Sequence, residues 1–171
     1  MVGHLVTPCV LGTGGMFLRL IGNGFNLDKT LRKTAQQPVQ RPTVELVSVL
    51  QANAQTRWAP PGIGPGAPLT DILMHTLDIC HPLHIPHPIE PERLQFALTF
   101  LVGRKSRACT RPAWRSALCL APDDLAWSWG EGPAVRGKAQ HVMMVLGGRT
   151  ALLDALTGPG VAQLRARFGN H

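Results

Sequence analysis

The sequence contains no tyrosine and few aromatic residues of any kind, since Phe and Trp together make up 5% of its 171 residues. Modules that bind single-stranded nucleic acid stack bases on exposed aromatic rings, so this composition argues against such a module. No zinc-finger spacing is present either. Although 17 Lys and Arg against 10 Asp and Glu leave a formal net charge of +7, we expect no nucleic-acid partner.

Long uncharged apolar runs are also missing. Residues 1–18 contain no Lys, Arg, Asp or Glu, but His4, Pro8 and Gly12 interrupt them, and a membrane span needs about 20 consecutive apolar residues. A secretory signal carries positive charge ahead of its apolar run, whereas the first basic residue here is Arg19. We therefore expect no membrane partner and a cytoplasmic location.

Cysteine is too sparse for a disulfide scaffold. The chain has four cysteines, and no two of them have the CxxC spacing of a zinc or redox motif. The sequence therefore predicts free thiols, most of them buried, at Cys9, Cys80, Cys109 and Cys119.

The basic residues that are present concentrate in one segment. Such a cluster can meet phosphate groups, but no nucleic-acid motif accompanies it. We interpret the segment as a solvated connector whose cations are Arg104, Lys105, Arg107, Arg111 and Arg115.

Hydrophobic periodicity predicts a helical first half and a small mixed second half. A loop rich in proline and glycine over 59–68 and an extended His-Pro linker over 81–89 interrupt the helices. A hairpin is predicted with strands over 116–121 and 125–129, followed by a short strand ending at Val135. The predicted helices run over 2–11 with a kink at Pro8, 43–56, 69–81, 90–102, 138–146 and 150–156, and a last helix begins after 160.

One predicted helix carries a pair of residues at metal-ligand spacing. Asp71 and His75 are four residues apart and therefore share a helix face. A carboxylate and two imidazoles form a three-ligand set that leaves positions open for water or substrate, and His4 is the candidate for the third ligand. The spacing also fits a surface ion pair or a capping network. Asp78 fits either a hydrogen bond to a ligand or a plain role near the helix end.

The linker histidines also recur at short intervals, at His81, His84 and His87. The prolines between them hold the backbone extended, so that successive side chains point apart. We interpret these histidines as solvated.

The order of several motifs resembles that of the mycothiol-dependent maleylpyruvate isomerase family of actinobacteria. Residues 71–79 read DILMHTLDI and continue to Pro82 and Leu83, which is similar to the family signature D/E-x-x-x-H-G-x-D-I-x-x-P-L. Three later segments are similar to family motifs in the same order, namely WSWGEGPAVRG at 127–137, LGGR at 146–149 and LTGPGVAQLR at 156–165.

The resemblance implies an α+β chain of two domains. Residues 1–88 would form an incomplete DinB-like helical bundle that binds metal, and residues 89–171 a small α/β domain similar to sterol-carrier folds. Carried over position by position, the metal ligands would be His4, which precedes a leucine as in the family, Asp71 and His75. The metal would be divalent, typically zinc.

Some family members take the thiol mycothiol as cofactor, and a zinc ion holds a thiol as thiolate near neutral pH. In the family's defining reaction the thiolate adds to a cis double bond, and its expulsion after rotation leaves the trans isomer. The resemblance makes Arg149 a candidate catalytic residue that grips a substrate carboxylate with its planar fork. A domain-interface ion pair is the alternative role for this arginine.

Compared with the family, this chain starts almost at the metal histidine His4, whereas family chains have a further helix before that residue. We therefore expect a bundle that is cut short at its N-terminus and binds metal weakly or not at all. Either the reading frame starts too late, or a partner chain, as in a homo-oligomer, covers the groove left by the missing helix. The sequence thus predicts a metal-dependent isomerase or thiol transferase acting on a small molecule. The alternative is a non-catalytic binding module or remnant that holds an apolar ligand or a partner chain, lined by Trp127, Trp129, Met143 and Met144.

Overall fold

The computed structural model describes residues 15, 22, 42–56, 59, 62–108 and 110–169. The chain divides into two compact units, Met1–Pro65 and Gly66–His171. The predicted domain boundary after residue 88 lies inside the second unit. The helix predicted over 2–11 and the candidate ligand His4 lie outside the described residues.

The described part of the first unit is mainly one helix, α1, at Thr43–Ala52. It begins after Pro42, whose fixed backbone angle suits the entry to a helix, and it buries Leu46. The prediction extended this helix to residue 56. It ends earlier because the Asn53 side chain donates to the Val49 carbonyl at 2.9 Å, which caps the last turn.

The second unit is a mixed α+β structure. Its helices are α2 (Gly66–Cys80), α3 (Pro91–Val102), the short α4 (Pro112–Arg115), α5 (Ala139–Leu146) and α6 (Gly160–Gly169), and two 3₁₀ helices lie at Arg104–Ala108 and Thr150–Ala155. None of the helices in the described part of the chain is long and apolar enough to span a bilayer.

Helix α2 begins three residues before the predicted position, because residues 66–68 of the predicted loop are helical. Pro68 is tolerated there since the first-turn N–H groups of a helix have no internal partner. Gly66 lies against α3 so closely that a Cβ atom would come within 2.5 Å of the Phe100 ring. This close approach seats the start of α2 on α3 and fixes the position of the residues that follow.

The linker that follows α2 is non-helical and exposed, as predicted. A turn over 81–84 places His84 at φ +53°, and the Ile85 amide donates to the Cys80 carbonyl. The chain then runs extended to Glu90, and α3 begins at Pro91, where a missing N–H costs nothing. The helix predicted over 90–102 is confirmed.

The sheet is parallel, which the sequence did not indicate. Strand β1 (Cys119–Leu120) pairs with β2 (Ala134–Val135), while the predicted hairpin is reduced to a single antiparallel bridge between Leu120 and Trp129. Pro122 has no N–H to continue an antiparallel ladder. Gly130 also takes φ +82°, with no room for a Cβ beside the Leu118 carbonyl, so the chain turns away after one bridge.

Helix α5 forms the centre of the core, and six of its eight residues are buried. It packs against α3 and the second 3₁₀ helix. Met143 and Met144 belong to this core, at 0% and 3% exposure, instead of lining a ligand pocket. Trp127 and Trp129 are partly buried against the same cluster.

The Arg-rich connector is not uniformly solvated. Arg104, Lys105, Arg107 and Arg111 are exposed as predicted, but Arg115 is buried, with 6% exposure. The short helix α4 places this side chain beneath the end of α3, where it donates to the Val102 carbonyl. Of the predicted free thiols, Cys80 and Cys119 are free and partly buried, while Cys9 and Cys109 lie outside the described residues.

The imidazole of His141 on α5 should make stability depend on pH. Burial lowers the pKa of His141 below its ordinary value, as do the nearby His81 and Lys138, while Asp124 opposes the shift. The unfolded chain therefore takes up this proton at a higher pH than the folded chain, so stability is full above the ordinary histidine pKa and falls as the pH drops through it. Between pH 8 and 5.5, the melting temperature should fall by a few degrees more in the wild type than in His141→Gln.

The matched control for this measurement is His87→Gln, which removes an exposed histidine of the linker. This variant should follow the wild-type melting curve against pH. Parallel curves for wild type and His141→Gln would contradict the prediction.

Candidate functional site

Helix α2 brings Asp71 and His75 together as the spacing predicts. Asp71 Oδ1 lies 3.4 Å from His75 Nε2, and the two side chains are 43% and 17% exposed. Contact with the Asp71 carboxylate raises the pKa of His75 above its ordinary value, with a smaller contribution from Asp78, while burial works against the shift. Two of the three predicted metal ligands therefore lie side by side, and the third, His4, is outside the described residues.

The other ring nitrogen of His75 is held by Asp78. His75 Nδ1 lies 3.0 Å from Asp78 Oδ2. An ionised carboxylate only accepts hydrogen bonds, so Nδ1 donates to Asp78. Nε2 is then directed toward Asp71, where it carries a proton in the imidazolium form that the two carboxylates favour and offers a lone pair to a metal when that proton is lost. Of the two roles that the sequence left open for Asp78, the structure shows the contact with the candidate ligand. A carboxylate behind a histidine is the usual support of a metal-bound imidazole.

Arg149 supports this arrangement from the C-terminal part of the second unit. Its Nε donates to Asp78 Oδ1 at 3.0 Å and its Nη2 to Asp78 Oδ2 at 2.6 Å, while Nη1 donates to the Gly147 carbonyl at 2.8 Å. Burial works to raise the pKa of Asp78, but Arg149 and then His75 outweigh it and hold that pKa below its ordinary value. The guanidinium of Arg149 is thus already bound to Asp78, which lies in the same unit.

A cavity of about 230 Å³ opens beside these side chains. Its polar wall is formed by Asp71, His75, Arg149 and Thr70, and its apolar wall by Ala67, Met74, Phe100 and Gly147. The Thr70 hydroxyl is buried and has no hydrogen-bond partner among the described residues. Asp71 and His75 therefore face a space that a small molecule can enter.

Gly147 lies close to both Met74 and Arg149. A Cβ atom at this position would lie 2.4 Å from Met74 Sδ and 3.3 Å from Arg149 Nη1. In the sequence this glycine stands within LGGR, where no local pattern indicates a role for it. Thr70 and Phe100 were also missed, because nothing in their local pattern distinguishes them from ordinary helix residues.

The pair on α2 is compatible with a zinc ion. Zinc ligands lie about 2.0–2.2 Å from the metal in tetrahedral geometry, which separates two donor atoms by roughly 3.4 Å. The Asp71 Oδ1 to His75 Nε2 distance is 3.4 Å. Within the described residues there is no cluster of three or more His, Cys, Asp or Glu side chains that could hold a metal, so this part of the chain supplies two donors.

Comparison with known proteins finds no relative of this chain. No family model, no curated protein and no solved structure matches the chain. The resemblance to the maleylpyruvate isomerase family therefore stays a hypothesis, which depends on the motifs of the sequence.

Proposed function

We propose that this chain is a metal-dependent and mycothiol-dependent isomerase or thiol transferase of the maleylpyruvate isomerase type. Its helical part would correspond to a DinB-like bundle and its C-terminal part to the α/β domain of that family. The observation that carries the proposal is the Asp71 and His75 pair at the edge of a cavity, with His75 oriented from behind by Asp78. The reaction class comes from the motif resemblance.

In this proposal Asp71 and His75 hold a divalent metal, typically zinc, and His4 is the third ligand. A zinc ion supplies one element of chemistry here, since it keeps a bound thiol ionised near neutral pH. Asp71 supplies negative charge to the site, and His75 supplies a neutral nitrogen whose direction is fixed by Asp78.

Arg149 takes a different role from the one its motif implies. Its Nε and Nη2 atoms are both engaged by Asp78, and Nη1 by the Gly147 carbonyl. We therefore assign Arg149 as a positioning residue, which keeps Asp78 ionised and so keeps the Nδ1 proton on His75. A substrate carboxylate would have to displace Asp78 to reach the fork.

The cavity determines the size and polarity of what is bound. Its volume of about 230 Å³ is below the usual range for drug-sized ligands, so it suits a thiol group and a small electrophile. Met74 and Phe100 add apolar surface to the lining of the same cavity. Such surface favours binding of the nonpolar part of a small ligand.

The proposal is tested by turnover of a cis-enoyl carboxylic acid with mycothiol, before and after treatment with a chelator. We expect activity in zinc-loaded protein, loss of most activity on chelation, and recovery when zinc is restored. Activity that is insensitive to the chelator would contradict the metal mechanism. Zinc-loaded protein without any turnover would favour the non-catalytic module, which holds an apolar ligand or a partner chain.

A further inference from the structure

The cavity beside Asp71 and His75 contains a polar group that the proposed function does not use. Thr70 lies on α2 and lines this cavity. The residue is buried, with 3% exposure, and its hydroxyl has no hydrogen-bond partner among the described residues. A buried hydroxyl without a hydrogen bond destabilises the folded chain, so this threonine needs an explanation.

No hydrogen bond within the described part of the chain fixes the direction of the Thr70 hydroxyl. In a helix, threonine often donates to the carbonyl three or four residues earlier, here that of Ala67 or Gly66, but Thr70 forms neither bond. Helical threonine also divides between two side-chain rotamers, and rotation about the Cα–Cβ bond exchanges the positions of hydroxyl and methyl. The hydroxyl can therefore turn toward a ligand in the cavity without breaking a hydrogen bond.

The charges around Thr70 determine which ligand group its hydroxyl can bind. Asp71 follows Thr70 directly and lies against His75. Arg149 is already bound to Asp78. The negative charge of Asp71 disfavours a second carboxylate beside it, and the one arginine of the lining has its charge matched. An uncharged oxygen that accepts a hydrogen bond fits these surroundings better than an anion does.

We propose that the Thr70 hydroxyl donates a hydrogen bond to the carbonyl oxygen of a small uncharged ligand and so determines which molecules the cavity accepts. The nonpolar part of the ligand lies against Met74 and Phe100. The cavity of about 230 Å³ has room for one substituted benzene ring, since about 150 Å³ is enough for benzene. A ligand without the carbonyl leaves the hydroxyl unpaired and binds more weakly. As a statement about the substrate, the inference rests on the proposed function.

The experiment measures binding of para-fluoroacetophenone to the full chain by fluorine NMR, with a chelator present and no thiol added. Two further probes share its ring: para-fluoroethylbenzene lacks the carbonyl, and para-fluorobenzoate carries a carboxylate. We expect the ketone to bind about tenfold more tightly than the ethyl compound, which is the effect of one hydrogen bond to a buried group. Equal or tighter binding of the benzoate would identify an anion as the ligand and overturn the proposal.

Two threonines of α2 provide the matched variants. Thr70→Val replaces the hydroxyl by a methyl group and should remove the preference for the ketone, whereas Thr70→Ser should keep it. Thr76→Val makes the same change at a part-buried threonine outside the cavity lining and should bind like the wild type. Because the Thr70 hydroxyl has no partner to lose, Thr70→Val should melt at or above the wild-type temperature. A ketone preference that persists in Thr70→Val would overturn the proposal, and so would a fall of several degrees in its melting temperature, which would show that the hydroxyl holds the fold.

This measurement requires neither zinc nor turnover, so its outcome is separate from that of the proposed function. Ketone binding that depends on Thr70, in protein that turns over no enoyl acid, would support the carbonyl site and contradict the proposed function. Turnover of the enoyl acid by protein that binds no ketone would overturn the carbonyl site alone.

Discussion

Replacement of His75 by alanine is expected to lower the zinc affinity of the chain by at least about 100-fold. The reason is that His75 Nε2 lies 3.4 Å from Asp71 Oδ1, so the variant would lose one of two adjacent donors. Loss of a residue that merely supports a zinc ligand costs about 10- to 100-fold in affinity, and loss of the ligand itself should cost no less. Competition with a chromophoric chelator measures the affinity.

The control for this experiment is His87→Ala, which removes an exposed linker histidine and should leave zinc affinity unchanged. Asp71→Asn gives an independent reading, because it keeps the shape of the side chain and removes its charge. Equal zinc affinity in wild type and His75→Ala would contradict the site. Equal losses in His75→Ala and His87→Ala would point to non-specific binding by histidines.

Arg149→Gln is expected to reduce the free energy of unfolding by about 2 kcal/mol. Arg149 and Asp78 form a two-pronged ion pair whose side chains are 30% and 18% exposed, and the substitution leaves a carboxylate that is largely buried without its main partner. In a chain of this size the melting temperature should fall by roughly 4–8 °C. Chemical denaturation measures the energy, and the zinc affinity should fall by about tenfold in parallel.

A matched control exists in the same unit. Arg165 and Asp154 form an ion pair with the same shortest distance, 2.6 Å, but their side chains are 52% and 86% exposed. Exposed pairs contribute little to stability, so Arg165→Gln should cost less than about 0.5 kcal/mol. Similar small losses in both variants would show that burial does not strengthen the Arg149 pair. A full stability loss without a change in zinc affinity would remove Arg149 from the site and leave it a structural role.

The sequence predicted those parts of the molecule that depend on neighbouring residues. Helix α2 follows from its apolar periodicity, and the Asp71 and His75 contact follows from helix geometry alone, because residues four apart meet on any helix. Helix α3 was predicted over 90–102 from the same kind of periodicity, and it begins at Pro91.

The parts that were not predicted depend on residues far apart in the chain. Arg149 reaches Asp78 across 71 positions, and no local pattern indicates that its fork is already engaged. The strands β1 and β2 have two residues each, which is too short for any periodicity to reveal their pairing. The burial of Arg115 was missed because composition describes the charge of a segment but not which face of it turns inward.

Because Asp71, His75 and Asp78 lie on a single helix, their spacing and the support that they receive from Arg149 depend on different parts of the chain. Their mutual spacing is set by the backbone of α2, whereas the support from Arg149 depends on how the segment after α5 packs against that helix. Substitutions where the segment after α5 packs against α2 can therefore change how firmly Asp78 holds His75, while the distance between Asp71 and His75 stays constant. Such substitutions lie outside the Asp71 and His75 positions, so the orientation of the candidate site can change in evolution while these two residues stay the same.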